Sequence, residues 1–572
     1  MPADRKHLRK GPRAFKVKLD RSLCSTAACL CHTRDVKRVL LLLPFLAIDS
    51  VAAVSPHAIA AHMRFLASDV LEGRETGTRG YDTAAAYVAA QFEAAGLEPI
   101  DGSWMQTVKL RGAAIEESSS SITIDGQALV SRKDYILRPD FARATLDVSA
   151  PVVLAGFGVT ALELGWDDYR SVDVRGKIVL ILSGAPPAFL VDQRAFYSAA
   201  DVKRRNAVLH GAAGVLTLSS PGDETRYPFA KRASQSGGTS MQYLHPDGTP
   251  ANVIESLRGQ AAVSRGGAER LFAGALIGID VLLADAERGV AHSFPLKATV
   301  AMKTATRFSE VTSANVVGLL RGRGPSTGDE YVAVTAHLDH LGTHPPSGGG
   351  DGLYNGAHDN AIGIAVLIEM ARAMSQRPRP ERSVLFVALT GEEKGEQGSD
   401  FFVHHPPVRP EAIVADINMD MFTMLYPVAD VVPLGGEHSD LGALAARAAR
   451  ATGFEVSPDP FPEEVRFIRS DQYSFVKAGI PAIHIKAGNR STDPSIDGAK
   501  ITRDWLRTTY HTPQDDLSQH FDFASGARYA DLNQRLVEAI ANGPRPHWKS
   551  GDFFGGLFAP PAGRKATIRL QH

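Results

Sequence analysis

Five stretches of this 572-residue chain carry residue types that could do chemistry together. They are AHLDHLG around His337, GAHDNAIG around Asp359, TGEEKGEQGS around Glu392 and Glu393, NMDM around Asp420, and YHTPQDD around His511. The first, third and fourth follow short apolar runs (YVAVTA, VLFVAL, AIVADI) suited to strands buried on both faces. Asp359 precedes AIGIAVLIEMARAM, whose apolar residues recur at the three- and four-residue spacing of a helix. In an open α/β sheet, ligands bind in the crevice beyond the carboxyl ends of the strands. Imidazoles and carboxylates at those ends would gather along one edge, and crowded charges of one sign need a cation to offset their repulsion. Each residue alone has a plainer reading, a solvated strand end or turn. Their conjunction points to a pair of metal ions, with His511 as the partner that completes the set.

All three cysteines (Cys24, Cys29, Cys31) precede residue 32, so the body has no disulfide, thiol nucleophile or sulfur ligand. Histidine and carboxylate donors alone suit zinc first, then manganese or cobalt. The apolar content of 44% and charged content of 22% are those of a soluble globular protein with a sizeable core. The net charge of -1 hides an asymmetry, since residues 1–53 hold eleven Lys/Arg against four Asp/Glu. The remaining body is acidic, which argues against nucleic acid as a partner.

The elements that would position these residues alternate strand and helix from Val311 to about Arg545. This is the pattern of an α/β domain with a mostly parallel sheet flanked by helices. Before it, residues 148–304 contain PVVLAGFGV, KIVLILSG and AGVLTLSS, apolar runs of strand length, with a helix over FYSAADVKRRNAVLHGA. This segment reads as an inserted β-rich domain without a chemical cluster of its own, because its acids fall where turns are expected. Residues 54–147 open with two helices around the Gly-rich loop EGRETGTRG, the second stopped at Gly96. Residues 1–53 read as a basic extension followed by a secretory signal peptide. The apolar run from Val39 to Ile48 is too short to span a bilayer, and cleavage is expected near Ala53. That implies a periplasmic or secreted protein with no stable membrane span. Residues 546–572, rich in Gly, Pro and Phe, read as an irregular tail, and the alternating α/β domain itself is bounded at 305–545.

The five motifs, in their order, resemble metallopeptidase family 28, the co-catalytic di-zinc exopeptidases that include bacterial leucyl aminopeptidases. FLASDVLEGRETGTRG resembles the family's opening. The inserted segment, with GWDDYRSVDVRGKIVLI and NAVLHGAAGVLTL, looks like its protease-associated domain. The resemblance implies that two Zn2+ bind each chain, with Mn2+ or Co2+ as possible substitutes. His337 and Asp420 would hold one ion, Glu393 and His511 the other, and Asp359 would bridge them. Asp339 would orient His337, as carboxylates commonly do for metal-bound imidazole, and Glu392 would be the general base. Ile362 and Gln472 depart from the family pattern at positions that are not ligands. Asp471 and Tyr473 are candidates for lining the substrate pocket. His340, His344, His358, His404, His405 and His484 read as structural or surface groups, His340 being the first exception to look for.

The expected activity is aminopeptidase hydrolysis of peptides through a metal-activated water. A carboxypeptidase or dipeptidase on the same scaffold is the closest rival. It would need a cation for the substrate carboxylate, and Arg466, Arg469, Arg490 and Arg503 lie in the right part of the chain. A non-catalytic binding homologue predicts lost ligands, whereas every ligand position is filled; a glutaminyl cyclase is a further minor reading.

Overall fold

The computed structural model describes residues 54–325, 327–345 and 350–559. The expected basic extension and signal peptide, and the end of the tail, lie outside these residues. Four strands, Ser383–Leu389, Tyr331–His337, Ile413–Asn418 and Ala482–Ala487, run parallel and adjacent in that order. Nearly every residue in them is buried, which explains their unbroken apolar sequences: both faces of the sheet are covered.

On one face Val332, Val334 and Ala336 meet the helices Pro56–Leu66, Arg79–Ala94, Ile362–Ser375 and Phe523–Asn542. On the other, Ala333, Leu385 and Val387 meet Gln397–His404 and Gln472–Lys477. The flanks are antiparallel: Asp430–Leu434 pairs with Ala482–Ala487, and the end of Ser293–Leu320 pairs with Ser383–Leu389. The fold is thus the mostly parallel, helix-flanked α/β architecture expected.

Ser293–Leu320, 28 residues long, belongs to two sheets. Its first part pairs with Thr145–Ala155, from which Ile178–Leu182, Gly214–Leu218 and Gln260–Val263 continue as parallel neighbours over a separate apolar core. Over Phe294–Met302 buried and accessible residues alternate, as a strand with one covered face requires. The boundary drawn at residues 304 and 305 falls inside this strand.

Two local readings differ. The helix expected over FYSAADVKRRNAVLHGA is two helices, Val191–Ser198 and Ala200–Leu209, because Ala199 adopts an extended conformation (φ -60°, ψ 130°). The segment read as irregular contains the helix Phe553–Phe558, whose Phe554 is fully buried against Phe467 and Tyr473. A run of aromatic residues found an apolar cleft, which composition alone does not reveal. No helix among the described residues is long and apolar enough to cross a membrane.

Candidate metal centre

His337 is the last residue of its strand, and Glu392, Glu393 and Asp420 follow the ends of the two neighbouring strands. The parallel register therefore brings all four to the same edge. Asp359 arrives from the irregular turn just before the helix Ile362–Ser375. Two backbone N–H groups of that turn, at His358 and Asp359, donate to the Asp515 carboxylate at 3.0 Å each. Gly356, at φ +59°, lets the turn close: a Cβ there would lie 2.1 Å from the Asp359 carbonyl and 2.6 Å from the His340 ring.

Asp359 is the hub. Its Oδ1 lies 3.2 Å from His337 Nε2, which is itself 3.3 Å from Asp420 Oδ1. Its Oδ2 lies 3.0 Å from His511 Nε2, which is 3.3 Å from Glu393 Oε2. The donor atoms of His337, Asp359 and Asp420 form one group with the mutual spacing of a metal site, and those of His340, Asp359 and Glu393 form a second. Four of the five expected ligand residues thus fall in two triplets that share Asp359, and the fifth, His511, faces the second through Asp359 and Glu393. His340 is the addition, with Nδ1 2.8 Å from Glu393 Oε1 and 3.8 Å from Asp359 Oδ2. The sequence offered one signal for it, its place beside Asp339 in the same HLDH stretch.

Asp339 is fully buried, and its carboxylate does more than face His337, from whose Nδ1 it lies 4.0 Å. Asp339 accepts the backbone N–H groups of Glu392 (3.1 Å) and Glu393 (3.2 Å) and the Thr76 hydroxyl (3.0 Å). The contact that sets the His337 ring is the Asp339 backbone carbonyl, 3.1 Å from Nδ1. One residue therefore orients the imidazole through its main chain and fixes the Glu392–Glu393 turn through its side chain. Further support comes from Arg74, a buried residue of the opening Gly-rich loop. Its guanidinium donates to the carbonyls of Leu66, Leu338 (3.0 Å), Asn355 (2.7 Å) and Gly356 (3.0 Å). His484 sits below, with Nε2 2.7 Å from the Asp420 carbonyl.

The electrostatics describe a site short of positive charge. Burial disfavours ionisation throughout, yet hydrogen bonds to Asp359 and Asp420 hold the His337 imidazole well above its ordinary pKa. His511 is raised in the same sense, against burial, by Glu393 and Asp359. Their partners move the opposite way: Asp359 lies well below the usual carboxylate range through His337 and His511, and Glu393 falls to about 2 through His511 and His340. The carboxylates raise the imidazoles they face, and divalent cations would offset the same carboxylates with the imidazoles neutral. The donor set fits such ions. Glu392 differs, because burial and the carboxylates of Glu393, Asp420 and Asp471 push its carboxyl well above the usual range.

Glu392 is half-buried and His511 is partly exposed, so the cluster opens on their side. The two residues suggested for the substrate pocket are not exposed. Asp471 is fully buried, and Tyr473 packs on Phe554 with Lys477 over its ring.

Residues 315–537 match the model of Peptidase family M28. Aminopeptidase YwaD of Bacillus subtilis (strain 168) is 26% identical over 340 residues, covering 59% of this chain and 64% of that protein. A probable zinc metalloprotease of Pyrenophora tritici-repentis (strain Pt-1C-BFP) is 27% identical over 269 residues, 41% of this chain and 53% of the relative. The chain thus matches between half and two thirds of the length of these relatives. An aminopeptidase from Aneurinibacillus sp. strain AM-1 superposes with a TM-score of 0.51 over 86% of this chain and 95% of that one; at 20% identity the likeness is one of fold.

Proposed function

With residues 315–537 belonging to peptidase family M28, we propose that this protein is a zinc-dependent aminopeptidase that removes N-terminal residues from peptides. The observation that carries the reading is the pair of triplets sharing Asp359, with Glu392 beside them on the open side. His337 and Asp420 would hold one ion, Glu393 and His511 the other, with Asp359 between them. His340 is placed to join the second set or to hold Glu393. Bound zinc would polarise the scissile carbonyl and lower the pKa of an attacking water.

Glu392 is the general base in this reading. Its carboxylate takes a proton from the water and passes it to the leaving amine. A carboxyl whose pKa is raised by its surroundings holds that proton readily between the two transfers. Asp339 keeps Glu392 and Glu393 in register through their N–H groups, so base and ligand stay on the two sides of one turn.

The aminopeptidase reading is favoured over the carboxypeptidase one by the arginines. Arg466 pairs with Asp459, Arg469 with Glu464 at 3.5 Å, and Arg490 with Glu455 at 2.6 Å and Asp430 at 3.4 Å. Arg503 is exposed on the helix Gly498–Thr508. Three of the four cations that could have held a substrate carboxylate already hold protein carboxylates. The aminopeptidase and zinc metalloprotease names of the relatives agree with this reading. We read the β-rich segment as a protease-associated domain, and the apolar run ending near Ala53 as the signal that exports the protein. Hydrolysis of free-amine aminoacyl substrates, lost with a chelator and restored by Zn2+, is the expected result. Activity confined to N-blocked peptides would reject the aminopeptidase reading, and chelator-resistant activity would reject the metal.

A further inference from the structure

A third cluster of metal-donor residues lies away from Asp359, where the β-rich segment meets the peptidase half. Asp192 comes from the first turn of the helix Val191–Ser198, and Glu437 and His438 follow the strand Asp430–Leu434. The donor atoms of these three residues lie within 4.8 Å of one another. His438 Nε2 is 3.8 Å from Asp192 Oδ1 and 3.8 Å from Glu437 Oε1. That is too long for a hydrogen bond, yet close to the ~3.4 Å that separates two ligands on one tetrahedral zinc ion.

A second observation is independent of the acids. His438 is 2% exposed, and its Nε2 is buried without a hydrogen-bond partner. A buried polar atom of this kind costs free energy unless something satisfies it. The other nitrogen is engaged: Nδ1 is 2.7 Å from Asp552 Oδ2, and Asp552 accepts the Gly555 N–H at 2.7 Å through its other oxygen. A proton held on Nδ1 by Asp552 leaves the Nε2 lone pair pointing at Asp192 and Glu437. This is the carboxylate–histidine–metal arrangement that fixes tautomer and orientation in metal sites. Ring rotation is blocked by Phe467, stacked at 5.0 Å, and Phe554, edge-on at 4.9 Å.

We propose that Asp192, Glu437 and His438 form a structural site for a divalent transition-metal ion, zinc foremost, that staples the β-rich segment to the peptidase half. One imidazole and two carboxylates are the donors that select zinc or manganese over calcium. Glu437 is exposed, which leaves room for water as a fourth ligand. The ion would join a helix of one half to a loop of the other, two segments 245 residues apart in sequence, and is separate from the catalytic ions.

The test uses the full chain, stripped with a chelator and dialysed against micromolar Zn2+, with bound ions counted by elemental analysis. The variant Asp192→Asn/Glu437→Gln alters two accessible carboxylates and is expected to bind one ion fewer per chain than the parent, with kcat/KM within about twofold. A His337→Ala/His511→Ala background, which removes one imidazole from each ion's donor set at the other centre, isolates the site. There Zn2+ is expected to raise Tm by at least ~2 °C, and adding Asp192→Asn/Glu437→Gln should abolish that rise and remove one further ion. Equal ion counts and equal Tm responses with and without the Asp192 and Glu437 changes would overturn the proposal. Binding seen only at millimolar Zn2+ would overturn it too.

Discussion

The cluster around Asp359 and the cluster around His438 use the same donor types but are assembled differently. The first draws His337, Glu392, Glu393 and Asp420 from the ends of three adjacent parallel strands, so the sheet register alone brings them together. The second joins Asp192 of one half to Glu437 and His438 of the other, and exists only once the halves dock. A strand-end site is rigid because its scaffold is the core. A docked site is no firmer than the contact that makes it. Chemistry that needs precise placement belongs at the first, and a staple at the second.

The largest effect that separates them is on turnover. Glu392→Gln is expected to lower kcat/KM by about 10²–10⁴ with metal content unchanged, whereas Asp192→Asn/Glu437→Gln should leave turnover nearly intact. Near-normal activity in Glu392→Gln would remove the base assignment and with it the contrast. Next comes the scaffold. Replacing Arg74 by Met strands buried carbonyls at Leu338, Asn355 and Gly356 and should cost about 3 kcal/mol or more, measured by denaturant unfolding. A loss below 1 kcal/mol would mean that the loops around Asp359 hold themselves.

Thr76→Val tests the same support more finely. It deletes the hydroxyl that Asp339 accepts, a loss of about 1 kcal/mol, and should lower kcat more than it raises KM, because the Glu392 turn loosens. An unchanged kcat would show that the two backbone N–H groups fix Asp339 without help. The smallest effect lies behind the sheet, at Glu369. Burial opposes its ionisation, yet hydrogen bonds from His62 and Arg372 hold its pKa at about 2 against an ordinary 4.5. A depressed carboxylate pKa contributes stability above pH 4.5 that is lost as pH falls toward 2. Glu369→Gln should therefore flatten the acid limb of the stability profile in that window, and an identical limb would discount the pair.

Legibility in sequence followed the same division. The central strands and the helix after Asp359 could be read because each is an unbroken apolar run or a clean helical repeat ending in a polar residue. The site residues at their ends came with them. His340 was harder, since a histidine three residues past another gives no indication of which way its ring turns. Arg74 and Asp515 act through backbone groups, and a hydrogen bond to a main chain leaves no mark in residue spacing. The His438 cluster has no pattern in the sequence: its partners lie 245 residues apart, and the acids of the β-rich segment fall where turns are expected. The tail helix Phe553–Phe558, whose buried Phe554 lies edge-on to His438, is equally hard to read, because it is anchored by the cleft that Phe554 fills.

Anomalous diffraction at the zinc absorption edge, from crystals of the full chain prepared in Zn2+, tests the central claim most directly. The account predicts two peaks sharing Asp359, one beside His337 and Asp420 and one beside Glu393 and His511. Crystals with no anomalous peak at Asp359 would contradict it.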